Sequence, residues 1–428
     1  MNGTSPRLLF LACPFPPNRA SGAVRCANLA KYLARLGWQV TVATIDPRLL
    51  ANPDPALLAG LEPWCRDLGI QRLLTGHDLR MFYGGGLVGR WWERPALIGK
   101  LATRLARAAW FDPGVGWVRP VLAACAHLQP GDVDAILSSG SPFPAFSAAC
   151  QLGRRLGAGV VLDYRDLWTM SPNAARPAPA RVIRTEQNLL NQAAGVFAVS
   201  DSMARCLGER FACTGKISII TNGFDPDDFR GLAPAVFRQP TIVYAGAFYL
   251  PLRTIHPILA AVARANRLGL PNGKEIRLLY LGPNQAHVQK AADELAAAQW
   301  VDLGGRVPRQ DALAAIKGAL AAAVITSVED RATPEVDSIL TGKLFEVMGA
   351  GARVLLVAPP GTEAVRVVAQ TRTGRSFAGS DVAGMADWFR QLVLNPGTEP
   401  ASNANGYAWP EIARQADAAL RRVARKPV

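Results

Sequence analysis

Residues 341–346 read TGKLFE, and this spacing of residue types could bind a nucleotide diphosphate. Thr341 predicts the N-cap of a helix. Lys343 then lies in the first turn, where the helix dipole disfavours a cation unless an anion such as phosphate is bound. Glu346 follows on the same helix face and could accept hydrogen bonds from ribose hydroxyls. The alternative is a surface ion pair between Lys343 and Glu346 that adds little stability.

Two glycines that follow predicted strands could let a phosphate approach the backbone closely. Gly22 comes after the proline-containing loop 14–21 and begins a predicted helix, whose free N–H groups could bind an anion. Gly246 follows the strand 241–245, and Arg253 lies further along the same loop. The alternatives are an ordinary turn at Gly22 and a solvated arginine at position 253.

A further polar segment, 163–168, follows the predicted strand 160–162 and reads DYRDLW. In doubly wound sheets ligands bind beyond the carboxyl ends of the strands, so this segment predicts one wall of a cleft. Asp166 is its candidate catalytic carboxylate. Alternatively, Asp166 caps the following segment and Arg165 pairs locally.

The elements that must position these residues form an alternating pattern of strands and helices. Short continuous apolar runs are typical of strands buried on both faces, and helical patterns separate them. This βαβ pattern predicts an α/β fold with parallel sheets. The predicted strands lie at residues 8–12, 39–44, 135–137, 160–162, 195–199 and 217–220, and then at 241–244, 277–281, 322–325 and 354–357.

The chain has 428 residues, more than one hydrophobic core usually supports, so two domains are expected. Residues 223–240 separate the two series of strands and are rich in Asp, Pro and Gly, as is typical of a linker. We therefore predict an N-terminal domain at 1–225 and a C-terminal domain at 226–408. The amphipathic, basic stretch 409–428 could cap the second domain or cross back onto the first.

Composition limits the class of protein and its partners. The chain carries 47 basic and 33 acidic residues, and the net charge of +14 favours anionic partners without choosing among them. Its seven cysteines show no C-x-x-C spacing, which favours buried thiols in a reducing compartment. No apolar run approaches the length of about 20 residues that spans a bilayer. We therefore expect a cytoplasmic protein, soluble or peripherally bound at the inner face of the membrane.

Residues 81–119 are both basic and rich in tryptophan. Leucines recur at a spacing of four residues while basic side chains cover another side, which resembles an interfacial amphipathic helix with aromatic anchors. The alternative is a helix that faces the core and has a solvated basic side. The basic residues are Arg90, Arg94, Lys100, Arg104, Arg107 and Arg119, and the tryptophans are Trp91, Trp92, Trp110 and Trp117.

Taken together, these motifs resemble glycosyltransferase family four of the GT-B superfamily, especially bacterial members that build surface polysaccharides. The resemblance covers nearly the whole chain in the right order. Its pieces are residues 14–22, 160–168, 199–200, 220–225 (ITNGFD), Gly246 and 341–346. It implies two Rossmann-like domains whose parallel sheets face each other across a cleft.

The resemblance also implies roles for individual residues. Glu346 would hold the nucleotide ribose, Lys343 and Arg253 would face the diphosphate, and Gly22 would close from the other domain. Transfer would be metal-independent and retaining, to a saccharide or lipid-linked acceptor, with a nucleotide-diphosphate sugar as co-substrate and no cofactor. The residues assigned to the donor are Gly22, Asn222, Gly246, Arg253, Thr341, Gly342, Lys343 and Glu346, and those assigned to catalysis are Asp166, Arg253 and Lys343.

Two positions depart from the family pattern. Many members carry a second glutamate eight positions before Glu346, where this chain has Ser338. Many also have a histidine after the strand that here leads into 138–142 (SSGSP), so backbone or hydroxyl groups of that loop, or Asp166, would have to substitute. The segment Asp225–Asp228 contains a D-x-D pattern, but it lies in the linker, where Asp and Pro form turns, and we expect no metal site.

Two other classes remain open. A non-hydrolysing sugar-nucleotide epimerase would use the same architecture, although the four histidines offer few acid–base groups. A non-catalytic basic module, such as a nucleic-acid binder, would fit the net charge. The sequence shows no recognition motif for nucleic acid, so we expect none as a partner.

Overall fold

The computed structural model describes residues 5–18, 20–50, 53–77, 82–83, 86–87, 112–171, 177–395 and 403–424. The chain divides into two compact units. Unit 1 comprises Met1–Thr221 together with Trp409–Val428, and unit 2 comprises Asn222–Ala408. The division thus lies between Thr221 and Asn222, four residues before the end of the predicted N-terminal domain.

Unit 1 contains a parallel sheet of seven strands with the order β3-β2-β1-β6-β7-β8-β9, and a separate antiparallel pair, β4 and β5. Its strands are β1 Arg7–Leu11, β2 Gln39–Ile45, β3 Gln71–Thr75, β4 Phe82–Tyr83, β5 Gly86–Leu87, β6 Ala135–Gly140, β7 Gly159–Tyr164, β8 Gly195–Ala198 and β9 Ile217–Ile219. Its helices, up to the end of β9, are α1 Ser21–Arg35, α2 Pro55–Asp67, α3 Val118–Ala124, α4 Pro144–Leu156, α5 Ala180–Gln192 and α6 Asp201–Phe211.

Unit 2 contains a parallel sheet of six strands with the order β12-β11-β10-β13-β14-β15. Its strands are β10 Thr241–Ala245, β11 Arg277–Leu281, β12 Val301–Gly305, β13 Ala321–Ile325, β14 Val354–Val357 and β15 Gly374–Phe377. Its helices are α7 His256–Arg267, α8 Gln285–Glu294, α9 Arg309–Gly318, α10 Pro334–Asp337, α11 Gly342–Gly349, α12 Glu363–Thr371 and α13 Val382–Leu394.

The C-terminal helix α14, Trp409–Ala424, belongs to unit 1, which decides between the two positions that the sequence left open. Its apolar side is buried in the same core as α1 and the strand β1, through residues such as Trp409 and Leu420. Trp38 donates a hydrogen bond from Nε1 to Asp417 Oδ1 at 2.6 Å. The close approach of Val423 to Gly159, where a Cβ would collide, fixes α14 against β7.

In both sheets the strand order reverses beside the first strand of the unit. β1 lies between β2 and β6, and β10 lies between β11 and β13. Ligands of open α/β sheets bind outside the carboxyl ends of the strands at such reversals. The loops that follow β1, β6, β10 and β13 are therefore the ones to examine for a site.

The observed strands confirm the predicted α/β fold, and each predicted strand is present with ends shifted by at most three residues. The strands β3, β12 and β15 escaped prediction. They lie at the edges of the two sheets and read QRLLT, VDLGG and GRSF, so they lack the continuous apolar runs of central strands. A polar edge strand leaves little periodic signal in a sequence.

The predicted interfacial segment 81–119 lies outside the described residues except for 82–83, 86–87 and 112–119. Within the described part, Trp117 is fully buried and donates from Nε1 to Thr75 Oγ1 at 2.6 Å. Trp117 is therefore a core residue, and the expectation that it acts as an interfacial anchor is wrong.

Candidate functional site

Lys343 lies in the first turn of α11 and reaches the loop that follows β10. Its Nζ donates to the carbonyl oxygen of Ala247 at 3.2 Å and lies 4.9 Å from the centre of the Tyr244 ring. Gly246 makes this approach possible, because a Cβ there would collide with Nζ and Cε of Lys343. The backbone of Gly246 also has φ +125°, a conformation that residues other than glycine rarely adopt. The two predicted residues Gly246 and Lys343 are thus in direct contact.

Arg253 connects the loops after β10 and β13, the two strands at the reversal of the sheet. Its Nε donates to the carbonyl oxygen of Thr326 at 3.1 Å, and its guanidinium lies 5.0 Å from the centre of the Tyr249 ring. Burial and, to a smaller extent, the positive charge of Arg253 lower the pKa of Lys343 to about 8, and Glu346 opposes both effects. Two cations close to one another at a strand-end edge form a setting in which an anion is stabilised.

The start of α11 differs in detail from the prediction. Thr341 occupies the N-cap position, but its side chain makes no capping hydrogen bond. Its Oγ1 is instead buried and has no hydrogen-bond partner. Gly342 is exposed, and a Cβ there would meet open space, so packing within the chain does not require a glycine at that position.

Glu346 does not pair with Lys343 in the way that the simple surface alternative would require. It forms an ion pair with Nη1 of Arg309, the first residue of α9. Nη2 of the same arginine bonds Asp228 Oδ2 at 2.7 Å. Burial raises the pKa of Asp228, and Arg309 opposes this increase.

Sequence reasoning missed this cluster because its members come from three separate segments. The sequence indicates only a turn-forming role for Asp228, which lies in the short turn Pro226–Phe229. Asn222 is half-buried at the first position of unit 2, six residues before Asp228. No spacing rule connects 228, 309 and 346, so only the fold brings them together.

In unit 1, Gly22 lies in the first turn of α1 and contacts Arg165. A Cβ at Gly22 would collide with Cζ and Nη1 of Arg165, and Nη2 of Arg165 donates to the carbonyl oxygen of Ser141 at 2.9 Å. Gly22 therefore lets a guanidinium approach the start of the helix. The side chain of Asp166 is 65% exposed, and its Oδ2 lies 3.7 Å from Nη1 of Arg165.

The other carboxylate of the segment 163–168 is structural. β7 continues to Tyr164, so Asp163 lies inside the strand and is buried. It accepts hydrogen bonds from Arg25 Nη2 at 2.6 Å and from Ser139 Oγ at 2.8 Å. Trp168 is also buried and stacks on Phe143, with ring centres 5.3 Å apart. Arg165 and Asp166 directly follow the end of β7, and their place in one wall of a cleft stays a prediction.

Arg25 is a second residue that the sequence did not reveal. Besides Asp163, it donates to the carbonyl oxygens of Ile220 at 2.8 Å and Thr221 at 2.9 Å. A buried arginine with several acceptors fixes its partners relative to one another, because each lost bond would leave a buried charge unpaired. Arg25 therefore holds Ile220 and Thr221, the residues of unit 1 that directly precede unit 2, against α1 and β7.

The loop that follows β6 is held by a buried carboxylate. Asp112 accepts hydrogen bonds from the backbone N–H of Phe143 at 2.9 Å and of Gly114 at 2.7 Å, and Ser141 Oγ lies 3.3 Å away. This is the loop in which many family members carry a histidine. The proposal that its backbone or hydroxyl groups substitute for that histidine stays a prediction.

Neither a cluster of metal-binding side chains nor a membrane-spanning helix occurs among the described residues. Within those residues, His, Cys, Asp and Glu side chains form no group of three or more that could hold a metal ion. None of the described helices combines the length and the apolar character needed to cross a bilayer.

Known proteins with the same architecture were then compared with this chain. Residues 22–228 match the sequence profile described as Glycosyltransferase Family 4. HepE of Anabaena, solved in complex with UDP and glucose, has a TM-score of 0.63 and 16% sequence identity, with 97% of this chain and 99% of that chain covered. A glycosyltransferase of Rickettsia africae has a TM-score of 0.64 and 14% identity, with 99% and 100% covered.

A third similar structure is the apo form of the lipopolysaccharide outer core galactosyltransferase WaaB. It has a TM-score of 0.57 and 11% identity, and the match covers 97% of this chain and 99% of that chain. Comparison with curated proteins finds no match.

The two parallel sheets and these similar structures show that the chain has the GT-B fold. Residues 22–228 match the model of Glycosyltransferase Family 4, and this match supports the class of glycosyltransferase. The fold class and the enzyme class predicted from the sequence are thereby confirmed.

Proposed function

We propose that unit 2 binds a nucleotide-diphosphate sugar, with Lys343 and Arg253 on the diphosphate and Glu346 on the ribose. The observation that carries this proposal is the contact of Lys343 with the Gly246 loop, close to Arg253, where β10 and β13 end. A cation whose pKa is lowered by burial and by a second cation gains stability when a diphosphate arrives. HepE of Anabaena was solved with UDP and glucose, which supports a donor of this class.

The proposed chemistry is electrostatic. In the transfer, the bond between the sugar carbon and the diphosphate oxygen breaks, and a bond to an acceptor hydroxyl oxygen forms. Negative charge develops on the leaving diphosphate, and Lys343 and Arg253 stabilise it without the need for a metal ion. The exposed Asp166 is the proposed catalytic carboxylate of unit 1, able to accept the proton of the acceptor hydroxyl. Retention at the sugar carbon is proposed from the family resemblance.

The acceptor is proposed to be a saccharide or a lipid-linked saccharide. The similar structure of WaaB belongs to a lipopolysaccharide galactosyltransferase, which supports an acceptor of this kind. We further propose a cytoplasmic location with peripheral contact at the inner face of the membrane. All seven cysteines are free thiols, as expected in a reducing compartment.

A thermal-shift panel of UDP-, GDP-, ADP- and dTDP-sugars tests the proposed donor site. A ligand at about 100 times its dissociation constant should stabilise the protein by about 2.7 kcal/mol, so one nucleotide series should raise the melting temperature clearly. Lys343→Ala should remove the shift, whereas Lys274→Ala, an exposed lysine of the same unit, should keep it.

Three outcomes would count against the proposal. No shift with any nucleotide sugar would reject the donor class, and an unchanged shift in Lys343→Ala would reject the site. Conversion of the bound nucleotide sugar to its epimer in the absence of acceptor would identify an epimerase instead.

A further inference from the structure

Arg309 holds two carboxylates that come from distant parts of the chain. Nη1 pairs with Glu346, 37 positions away on α11, and Nη2 bonds Asp228, 81 positions away in the turn Pro226–Phe229. The guanidinium is planar and its N–H groups point in fixed directions, so each carboxylate is held in a defined place. Arg309 therefore fixes the direction of the Glu346 side chain relative to the segment that begins unit 2.

Glu346 keeps the capacity to bind a ligand while Arg309 holds it. The arginine contacts Oε1, and a carboxylate has a second oxygen with its own lone pairs. The side chain of Glu346 is 25% exposed and that of Arg309 is 38% exposed, so the pair lies at the surface of unit 2. An oxygen fixed by a neighbouring ion pair loses less rotamer entropy when it accepts a hydrogen bond.

The turn that carries Asp228, the second partner of Arg309, is itself held in place. Asp225 accepts a hydrogen bond from the backbone N–H of Asp227 at 2.9 Å, which shapes the turn that carries Asp228. The same segment packs on α11, because a Cβ at Gly349 would collide with the rings of Phe224 and Phe229. The turn and α11 thus pack directly on each other, and Arg309 links them a second time by binding both Asp228 and Glu346.

From this arrangement we infer that Arg309 is a positioning residue for the ribose contact made by Glu346, and that Asp228 is the counter-anchor that keeps Arg309 in place. This inference rests on the proposed function, because it takes Glu346 as the group that receives the ribose hydroxyls. It adds two residues that no motif of the sequence indicated. Its substrate class is a ribonucleoside diphosphate with at least one free ribose hydroxyl.

The test compares nucleotides that differ only in the ribose hydroxyls. Binding of UDP, GDP, ADP and their 2′,3′-dideoxy counterparts is measured by calorimetry for the wild-type protein and for Arg309→Met, Arg309→Lys and Asp228→Asn. The quantity compared is the ratio of the affinities for the ribonucleotide and for its dideoxy counterpart, with the base that the wild-type protein binds most strongly. Pyrophosphate is the reference ligand without ribose. Arg264→Met, an exposed arginine on α7, is the matched control.

Wild-type protein should prefer the ribonucleotide at least tenfold, since a hydrogen bond to a charged acceptor is lost in the analogue. Arg309→Met should bring the ratio close to one and leave pyrophosphate affinity unchanged. Arg309→Lys should recover part of the ratio, Asp228→Asn should give an intermediate value, and Arg264→Met should match the wild type. The double variant Glu346→Gln, Arg309→Met should show the same affinity ratio as either single variant, because both changes remove the same interaction with the ribose.

Failure of this inference and failure of the proposed function give different results. A wild-type ratio retained in Arg309→Met and Arg309→Lys overturns the positioning role, while pyrophosphate binding that depends on Lys343 leaves the donor site standing. No binding of any nucleoside diphosphate by the wild-type protein overturns both. If Arg309→Met does not fold, as judged by circular dichroism, the ratio in Arg309→Lys and Asp228→Asn decides.

Discussion

The ammonium of Lys343 lies between the ring of Tyr244 and the carbonyl oxygen of Ala247, and these surroundings govern its chemistry. Water solvates the charge poorly there, which lowers its pKa to about 8, and Arg253 adds repulsion. An anion bound at this point would offset both effects. Lys343 is therefore suited to bind an anion, and its charge state can be followed through the pH dependence of anion binding.

The affinity for a nucleoside diphosphate should fall as the pH rises above about 8. Binding requires the charged lysine, and the free protein loses that proton around its lowered pKa, whereas the bound anion raises the pKa. Dissociation constants for UDP should increase roughly fivefold between pH 8 and pH 9 and stay flat below pH 7. Calorimetry over that range measures this. Lys343→Arg should flatten the profile, and a profile that keeps its slope in this variant would contradict the assignment.

A second titrating residue affects stability rather than binding. Glu186 on α5 is buried, and this burial raises its pKa to about 7 against the opposing hydrogen bonds from Thr169. The folded state holds the proton more tightly than the unfolded state, so this stabilisation is complete below pH 4.5 and disappears as the pH rises through 7. The free energy of unfolding should therefore drop by about 3 kcal/mol between pH 4.5 and pH 8 on account of this group.

Urea unfolding of the wild type and of Glu186→Gln at several pH values tests the role of Glu186. The glutamine variant should lose this part of the pH dependence, and Glu209→Gln, an exposed glutamate on α6, should keep it. Equal pH dependence in all three proteins would show that Glu186 is solvated or paired in a way that the structure does not contain.

At the scale of elements, the loop after β10 and the first turn of α11 must approach closely, and Gly246 permits this. Gly246→Ala should destabilise unit 2 by roughly 1–3 kcal/mol, because a positive φ and a collision with Lys343 both oppose the new Cβ. It should also weaken nucleotide binding at least tenfold by displacing the ammonium from its place.

Gly406→Ala, at an exposed glycine of the same unit, is the matched control for Gly246→Ala. A Cβ at Gly406 meets open space, so stability should change by less than about 1 kcal/mol and binding should persist. Thermal unfolding and calorimetry of both variants give the comparison. Similar losses in the two variants would contradict the proposed contact between the loop and α11.

The central elements could be predicted from the sequence because their residues carry the signal themselves. Strands such as β14, which reads VLLV, are buried on both faces and appear as apolar runs. The sequence predicted that Gly246 and Lys343 both serve the diphosphate, but it did not predict their direct contact, which only the structure shows. The edge strands β3, β12 and β15 are mostly half-buried or exposed and lack continuous apolar runs, so they gave no comparable signal.

The polar networks could not be predicted, because their partners are far apart in the chain. Arg25 and Asp163 are separated by 138 positions, and Arg309 and Asp228 by 81. Nothing in the local sequence distinguishes these residues from solvated charges. The absence of a side-chain cap at Thr341 likewise depends on the packing around α11, not on residue type.

At the scale of the whole molecule, the chain returns to unit 1 through α14 after completing unit 2. The apolar side of this helix shares a core with α1 and β1, so unit 1 should depend on residues more than 400 positions from its start. Solved structures with 11–16% sequence identity match nearly the full length of this chain, so very different sequences form this fold.

Leu420→Ala should destabilise unit 1 by about 2–5 kcal/mol, since the fully buried side chain leaves a cavity between α14 and α1. Hydrogen exchange followed by mass spectrometry should show reduced protection in β1 and α1 and no change in β10 or α11. Arg422→Ala, an exposed position on the same helix, should leave both units unchanged. Loss of protection confined to unit 2 would contradict the assignment of α14.

The most direct test of the donor site is a crystal structure with UDP, or with the nucleoside diphosphate that gives the largest thermal shift, bound to the wild-type protein. The quantity to measure is the distance from Lys343 Nζ to the nearest diphosphate oxygen. We predict a distance of about 2.7–3.2 Å, with Glu346 on the ribose. A diphosphate bound elsewhere, with Lys343 still donating to Ala247, would contradict the account.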